Sequence, residues 1–276
     1  MWGNSIARGF AYELSAMARG SSVTPRMAQK DACESSNRAY ASCTLTLAPR
    51  SGPLIHVSYL QLFDTPAPSG MPAGVHTDAC AAAGHGNTRE CVRTLLTGVQ
   101  DDDVLVFYVG LHYALHALDV AAVAPDFDLL AHFIHDAKAF REALLSEWHG
   151  SPSNIFRVRI APPRVGEERF IKVTQDIIRM NTAADEIFAD TNWSVIDQAS
   201  LNSGNEKFYT DSIHFQGPLS ALTMNVMLST LCGDPQLLPP ANSKVWEGIE
   251  ADIAADAQAE ETRREKERAH DASFHI

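Results

Sequence analysis

Residues 101–110 read Asp-Asp-Asp-Val-Leu-Val-Phe-Tyr-Val-Gly, and this stretch decides the expected fold. It opens with three turn-forming acids and closes with a glycine. Between them, every residue from Val104 to Val109 is apolar or aromatic. A short apolar run bounded by turn residues is typical of a strand that is buried on both faces, as in a parallel sheet covered by helices. We therefore expect a buried parallel strand here.

Strand and helix patterns alternate on both sides of this run. Three further strands are predicted at 54–63, 155–160 and 193–198 from their β-branched and aromatic content. Helices are predicted from apolar periodicity, at 6–18, 88–98, 126–148, 173–190 and 218–231. This alternation predicts an α/β fold with three layers, α/β/α, around a mostly parallel sheet. The expected inward-facing residues of the two longest helices are Phe127, Leu130, Phe133, Ile134, Phe140, Leu144, Leu145 and Trp148, then Ile177, Ile178, Ala184 and Ile187.

The other segments have the composition of loops and of a tail. Residues 19–53 are rich in Ser, Arg, Ala and Pro, and residues 64–87 in Pro, Gly and Ala, so both are predicted to be irregular. Loops on a rigid sheet often carry function, and we expect these two to shape a substrate cleft. Residues 245–270 are highly charged. We therefore divide the chain into a folded domain, 1–240, and a charged tail, 241–276, that is helical or disordered.

Composition excludes several classes of protein. Acidic residues outnumber basic ones, 34 to 22, which disfavours nucleic acid and anionic membranes as partners. No apolar run is long enough to span a bilayer as a helix. The five cysteines contain no CxxC pair, which disfavours a zinc ribbon or a thioredoxin motif. Their spacing allows two loop-closing disulfides or five reduced thiols, and the alternatives stay open for Cys33, Cys43, Cys80, Cys91 and Cys232.

Three polar segments are predicted at or next to strand ends, where sites of parallel sheets lie. They are Gly3-Asn4-Ser5, Gly110-Leu111-His112 and Asp211-Ser212-Ile213-His214. A serine, an acid and a histidine are the parts of a nucleophilic triad.

Each residue alone has a plainer explanation. Ser5 is suited to cap the helix that follows it, and Asp211 to a surface turn. His112 and His116 are four residues apart and would share one face of a helix, which would suit a metal. Spacing places no third ligand, so we expect no metal ion and no other cofactor.

The three segments together are similar to the SGNH/GDSL hydrolase superfamily, and in particular to its PC-esterase-like branch. Members of that branch act on acyl esters of glycans or related acceptors. The resemblance rests on Gly3-Asn4-Ser5, on the Gly-x-His after the buried strand, and on the late Asp-x-x-His of residues 211–214. It covers roughly residues 2–232.

The resemblance implies the role of each site residue. Ser5 would be the nucleophile, His214 the base, and Asp211 the acid that orients it. Ser5, Gly110 and His112 would form the oxyanion hole. The implied activity is a serine-dependent hydrolase or O-acyltransferase that acts on acylated glycans or small esters through an acyl-serine intermediate. A glycan-binding or structural protein with the same fold, and without activity, is the alternative.

The chain departs from the family pattern at two positions. Asn4 stands where the family has Asp, and His112 stands where the oxyanion hole has Asn. An imidazole N–H can still donate, but loss of one oxyanion donor costs on the order of 10²–10³ in rate in other serine hydrolases. The second oxyanion glycine stays open among Gly70, Gly74, Gly84 and Gly86.

The start of the chain carries a further expectation. Only Met1 and Trp2 precede Gly3-Asn4-Ser5, which in this family follows the central first strand. We expect that about 6–10 residues of this strand are absent from the sequence, since strands of that fold have ordinary length. No signal peptide is visible, and the resemblance implies the secretory pathway.

Overall fold

A computed structural model describes residues 2–3, 9–10, 42–47, 55–61, 87–108, 110–115, 126–164, 169–203, 205, 208–209, 213–215 and 218–232. Within these ranges, strands form one six-stranded sheet with the order β2-β3-β1-β4-β5-β6. The strands are β1 (Trp2–Gly3), β2 (Ser42–Leu47), β3 (Ile55–Gln61), β4 (Leu105–Tyr108), β5 (Ile155–Val158) and β6 (Ser194–Ile196). All neighbouring pairs are parallel except β2 and β3. The predicted mostly parallel α/β sheet is confirmed.

The helices are α1 (Thr88–Leu95), α2 (Leu111–Leu115), α3 (Leu129–Glu147), α4 (Arg169–Ile187), α5 (Gln198–Asn202) and α6 (Pro218–Cys232). Gly9 and Phe10 are also helical, inside the helix predicted for 6–18. Side chains start some of these helices: Asn87 accepts a hydrogen bond from the Glu90 N–H at α1, and Asp128 accepts one from the Ala131 N–H at α3. Such caps satisfy backbone donors that have no partner within the helix.

The first strand is short and central. β1 lies between β3 and β4, and its two residues pair with Leu60 and Gln61 on one side and with Phe107 and Tyr108 on the other. A central first strand was expected before Gly3-Asn4-Ser5; β1 is central, but Gly3 belongs to it rather than following it. β3 has seven residues and β4 has four, so β1 pairs with only part of each neighbour.

Consecutive residues of β4 point to opposite faces of the sheet, as the strand period requires. Phe107 contacts Phe140 of α3 at a ring-centroid distance of 5.3 Å. Tyr108 contacts Phe10 at 6.0 Å, and Gly9 of the same helical turn lies next to Ser220 of α6. Helices therefore cover both faces, and the predicted three layers are present.

One predicted loop contains a strand. β2 lies within 19–53, where the composition favours irregular structure, and it pairs antiparallel with β3 along its whole length. Its sequence, Ser-Cys-Thr-Leu-Thr-Leu, alternates polar or small residues with apolar ones and contains two threonines, which suits an edge strand. The average composition of the longer segment concealed this local pattern.

Two residues that were predicted to face the core are exposed. Leu145 is 46% exposed on α3 and Ile178 is 57% exposed on α4. On α4 the buried positions are Val173, Ile177, Met180 and Ala184, which recur every three or four residues. Ile178 follows Ile177 directly, so it lies about 100° further around the helix and faces outward.

The strand predicted for 193–198 is shorter than expected. β6 ends at Ile196, and the next residue, Asp197, caps α5 by accepting a hydrogen bond from the Ser200 N–H. Ile160 likewise lies beyond the end of β5. Beyond β6 the Asp197 side chain caps a helix, whereas beyond β5 the Asn181 side chain bonds the backbone of Ile160.

Among the described residues, no helix is both long and apolar enough to cross a membrane. Cys91, which is buried on α1, is disulfide-bonded, whereas Cys232 at the end of α6 is exposed and free. The partner of Cys91 is not among the side chains that the structure describes. The predicted tail, 241–276, the loop 64–86 and Gly70, Gly74, Gly84 and Gly86 lie outside the described residues.

Candidate functional site

Two of the three expected triad residues, Ser5 and Asp211, lie outside the described residues. Their neighbours in the chain are described. Gly3, two residues before Ser5, is in register with Tyr108, two residues before Gly110. Because β1 and β4 are adjacent and parallel, the chain leaves both strands at the same edge of the sheet. This is the edge where ligands bind in open α/β folds.

Gly110 occupies a position that only glycine fits. Its φ is +107°, and a Cβ built there would lie 2.9 Å from Phe133 Cε2 and 3.0 Å from Ile160 Cδ1. Positive φ in this region is strained for residues that carry a Cβ. Its carbonyl oxygen accepts a hydrogen bond from the Tyr113 N–H at 3.1 Å, which starts α2. The turn after β4 is thus built tightly around this glycine.

The backbone of Ile160, next to Gly110, is held by a buried amide. Asn181 of α4 accepts from the Ile160 N–H at 3.0 Å and donates to the Ile160 carbonyl at 2.8 Å. Asn181 is 4% exposed. This paired contact replaces the hydrogen bonds of a neighbouring strand, so the chain beyond β5 keeps a fixed path beside Gly110.

His112 is on the first turn of α2 rather than in a loop. The next residue, Tyr113, is fully buried and donates a hydrogen bond at 2.7 Å to Asp136 of α3. The same buried carboxylate lies 3.2 Å from His132 Nε2 and 3.1 Å from His135 Nδ1. A buried carboxylate needs such partners, and the hydrogen bond from Tyr113 joins α2 to α3.

His214 is half-buried, in a loop whose ends are joined. Tyr209 and Phe215 form an isolated antiparallel bridge, and their rings are 5.6 Å apart. The loop between them contains Asp211 and His214. Phe215 also contacts Phe10, with ring centroids 6.2 Å apart. Since Phe10 follows Ser5 by five residues, the helix after Ser5 and the loop that carries His214 pack directly on each other.

Buried hydrogen bonds fix Tyr209, at the start of this loop, to the neighbouring elements. The Tyr209 hydroxyl donates to the Pro162 carbonyl at 2.8 Å and accepts from Asn202 Nδ2 at 2.9 Å. Asn202 Oδ1 in turn accepts from Gln198, and Gln198 Oε1 accepts from Thr223 of α6. We call these four side chains, Thr223, Gln198, Asn202 and Tyr209, the polar relay. It connects α6 and α5 to the ends of the loop and of β5.

Tyr108 adds a second hydroxyl to the same region. It is fully buried, and its oxygen accepts from the Ala161 N–H at 3.3 Å. Burial raises the pKa of Tyr108 well above its ordinary value, so the phenol stays protonated. The carboxyl ends of β4 and β5 are thus joined by hydrogen bonds beyond the sheet itself.

An ion pair joins the ends of β5 and β6. Arg159 lies 2.9 Å from Asp197, the residue that caps α5. Burial raises the pKa of Asp197, but the hydrogen bonds from Ser200 and the charge of Arg159 outweigh it, so the pKa lies below its ordinary value. Asp197 therefore remains a carboxylate at neutral pH and supports the helix that carries Gln198 and Asn202.

The sequence missed most of these supporting residues. Asn181, Asn202 and Gln198 are buried amides, but nothing in one sequence distinguishes them from exposed ones. Asp136 was hidden in the same way inside an amphipathic helix. Tyr209 carried the clearest signal, since an aromatic residue flanks the Asp-x-x-His on each side and such rings favour burial.

Neither a cavity nor a metal cluster suggests another site in the described part of the chain. A cavity of about 20 Å³ between the sheet and α3 and α4 is lined by Phe107, Arg157 and Asn181, among others, and is far smaller than a ligand pocket. No three metal-ligating side chains cluster within the described ranges. This statement does not include the pair His112 and His116, because the His112 side chain and all of His116 lie outside what the structure describes.

No family model matches this chain, and no curated protein is similar enough to count as a match.

Proposed function

We propose that this chain is a serine-dependent acyl ester hydrolase or O-acyltransferase. Ser5 would be its nucleophile, His214 its base and Asp211 the acid that orients the base. The substrate would be an acylated glycan or a small ester.

The single observation that carries this proposal is the packing around Phe215. The Tyr209–Phe215 bridge closes a loop that contains Asp211 and His214, and Phe215 lies against Phe10 on the helix that follows Ser5. An acid that precedes a histidine by three residues reaches its ring only if the loop curls back. The antiparallel Tyr209–Phe215 bridge requires the chain to reverse direction between these residues, which is compatible with such a curl.

The sheet register supports the expected oxyanion hole. Ser5 and Gly110 each follow, by two residues, one member of the paired residues Gly3 and Tyr108. Ser5 and Gly110 are therefore each within two residues of neighbouring strand ends at one edge of the sheet, which is compatible with a shared oxyanion hole. Gly110 has a positive φ and is packed against Phe133 and Ile160, so the backbone of the turn that would carry this oxyanion donor is fixed.

The chemistry follows from these roles. His214 accepts the proton of the Ser5 hydroxyl as its oxygen attacks the acyl carbonyl. The N–H groups of Ser5 and Gly110 stabilise the oxyanion, and His214 returns the proton to the departing alcohol. Water then hydrolyses the acyl-serine, or a sugar hydroxyl takes the acyl group. The net charge of −12 makes a polyanionic substrate unfavourable.

A fluorophosphonate probe tests the proposal, because it reacts with an activated serine and needs no knowledge of the substrate. We expect the wild-type chain to be labelled on Ser5. We expect Ser5→Ala to abolish labelling and His214→Gln to slow it by at least about 10²-fold, the usual contribution of a general base. Ser203→Ala, at an exposed serine whose side chain has no hydrogen bond in the described structure, is the matched control and should label normally.

Absence of labelling in a chain that unfolds cooperatively would contradict the proposal. Binding of acetylated glycans by that unreactive chain would then support the alternative, a glycan-binding protein without activity.

A further inference from the structure

Residues 192–194 read Asn-Trp-Ser, which none of the functional roles above uses. The pattern Asn-x-Ser/Thr, with any residue except proline in the middle, is the acceptor for N-linked glycans in the secretory pathway. So short a motif is weak evidence without its structural context, which must be a surface position that leaves room for a bulky sugar.

The structure puts Asn192 in an exposed turn between α4 and β6. Its φ is +57°, a left-handed conformation that asparagine tolerates better than most residues. The turn itself is anchored on both sides. Thr191 is buried and its hydroxyl accepts from the Trp193 N–H, and the Trp193 ring contacts Phe107 at 5.8 Å. Asn192 is therefore exposed to solvent, while the residues on both sides of it are buried and hold the turn in place.

Within the described part of the chain, the side chains of Asn192 and Ser194 bind no other protein group. Asn192 and Ser194 make no side-chain hydrogen bond or ion pair there. This contrasts with Asn87, Asn181 and Asn202, whose amides all bond to the protein. A free amide at 192 and a free hydroxyl at 194 are compatible with modification, since no contact is lost.

The surroundings also leave room for a glycan. β6 is an edge strand of the sheet, and Val195, three residues after Asn192, is 50% exposed. β6 begins two residues after Asn192, so a sugar on Asn192 would lie near the start of this open edge. Proteins protect such edges against pairing with other chains, and a bulky polar group there has that effect.

The disulfide of Cys91 is a separate observation that points to the same compartment. Disulfides form and persist in oxidising surroundings, such as the lumen of the endoplasmic reticulum, where N-glycans are also attached. Cys91 lies inside α1 and Asn192 lies in the turn between α4 and β6, so the two observations come from different parts of the chain. They agree without depending on each other.

We propose that Asn192 is an N-glycosylation site. A glycosyltransferase would move an oligosaccharide from a lipid-pyrophosphate donor to the Asn192 amide nitrogen. The new bond joins this nitrogen to the first sugar, the sugar–pyrophosphate bond breaks, and the amide proton is lost. The modification does not depend on the catalytic role of Ser5.

The test is expression of the full chain behind a cleavable signal sequence in a secreting eukaryotic cell. Intact mass is measured with and without PNGase F, which removes the glycan and leaves aspartate at 192. Wild type and Ser194→Thr should carry one glycan that PNGase F removes. Asn192→Gln and Ser194→Ala should lose it completely. Chains from the medium and from the endoplasmic reticulum are analysed together, so that poor secretion does not conceal the result.

Folding is checked separately. Because both side chains are free, enzymatically deglycosylated wild type and Asn192→Gln should unfold at the same temperature. Wild type and Ser194→Thr chains that are folded, have oxidised Cys91 and carry no glycan at 192 would overturn the proposal. A glycan at another asparagine in a chain with no glycan at 192 would overturn it as well.

Discussion

The two faces of β4 have opposite character. On one face, Phe107 packs among Phe140, Phe188 and Trp193, with ring centroids 5.3–6.0 Å apart. On the other face, Tyr108 lies at the Phe10 side of the sheet, where hydroxyls and amides of the polar relay tie together α5, α6 and the loop that carries His214. Ring packing dominates the contacts of Phe107 itself, and the hydrogen bonds of the polar relay lie on the Tyr108 side.

This difference separates stability from positioning. Aromatic packing removes a large apolar area from water but is weakly directional, so it stabilises the fold without defining the place of one atom. Hydrogen bonds contribute less net free energy, but they require particular distances and angles. We therefore expect damage to the Phe107 face to reduce stability, and damage to the Tyr108 face to disturb the candidate site.

The largest effect is expected from Phe107→Ala. This side chain is 1% exposed and contacts three aromatic rings, so its loss leaves a cavity in the apolar face. The free energy of unfolding should fall by about 3–5 kcal/mol, measured by urea denaturation. Val195→Ala, at an exposed position of β6, is the control and should change little. In conditions where Phe107→Ala remains folded, labelling of Ser5 should keep its wild-type rate. A large drop in that rate would contradict the separation of the two faces.

A smaller loss of stability, with a larger effect on the site, is expected from Tyr209→Phe. The ring that contacts Phe215 is kept, but the Pro162 carbonyl and the Asn202 amide each lose a partner. The free energy of unfolding should fall by about 1–3 kcal/mol, since buried polar groups are left unsatisfied. The His214 ring resonances should shift in NMR spectra, and labelling of Ser5 should slow.

A double-mutant cycle sharpens this second prediction. Asn202→Ala removes the same hydrogen bond from its other side. The two changes should therefore be non-additive, with a coupling of at least about 0.5 kcal/mol. Additive effects would show that the polar relay does not act as one unit. If Ser5 is labelled equally fast in the wild-type chain and in Tyr209→Phe, the polar relay does not position the loop that carries His214. This conclusion holds independently of the catalytic role of Ser5.

The smallest effect is expected on the outer surface, where α1 and α3 are joined by charge. Glu147 of α3 lies 2.9 Å from Arg93 and also pairs with Arg89, and both arginine side chains are largely exposed. Hydrogen bonds from the two guanidinium groups lower the pKa of Glu147 from 4.5 to about 2. The folded chain thus binds fewer protons than the unfolded chain between these values, so stability that is present above pH 4.5 is lost as pH falls towards 2.

Glu147→Gln should therefore flatten the pH dependence of unfolding in this window. Its effect at neutral pH should be small, because exposed ion pairs contribute little. Glu186→Gln, at an exposed residue of α4, is the matched control and should leave the pH profile as in wild type. An unchanged profile in Glu147→Gln would contradict this assignment.

Much of the sheet could be predicted because burial leaves a mark on sequence. The run 104–109 is apolar throughout, and the helices that cover it repeat every three to four residues, so β4, α3, α4 and α6 lie close to their predicted positions. Predictions were wrong where an element was short, or where the composition of a longer segment concealed its pattern. β2 is six residues inside a long segment of loop-like composition, and α5 has only five.

The supports of the candidate site could not be predicted in the same way. Asn181 and Asn202 are buried because of what lies beside them in space, at sequence separations of 21 and 7 residues from the groups they bind. Gly110 was named from its position after a strand. That its φ is positive, and that Phe133 and Ile160 leave no space for a Cβ, depends on packing between elements distant in the chain.

Sequence alone determined the order of the longer elements, the three-layer architecture and the identity of the residues proposed for chemistry, because these depend on local periodicity and on side-chain type. Tertiary structure decided which of them are brought near each other: Gly3 beside Tyr108, Phe10 against Phe215, and a loop around His214 closed by Tyr209. Contacts of this kind join residues that are separated by up to about two hundred positions. Their geometry arises only when the whole core packs, since no local pattern specifies the distance between two distant side chains.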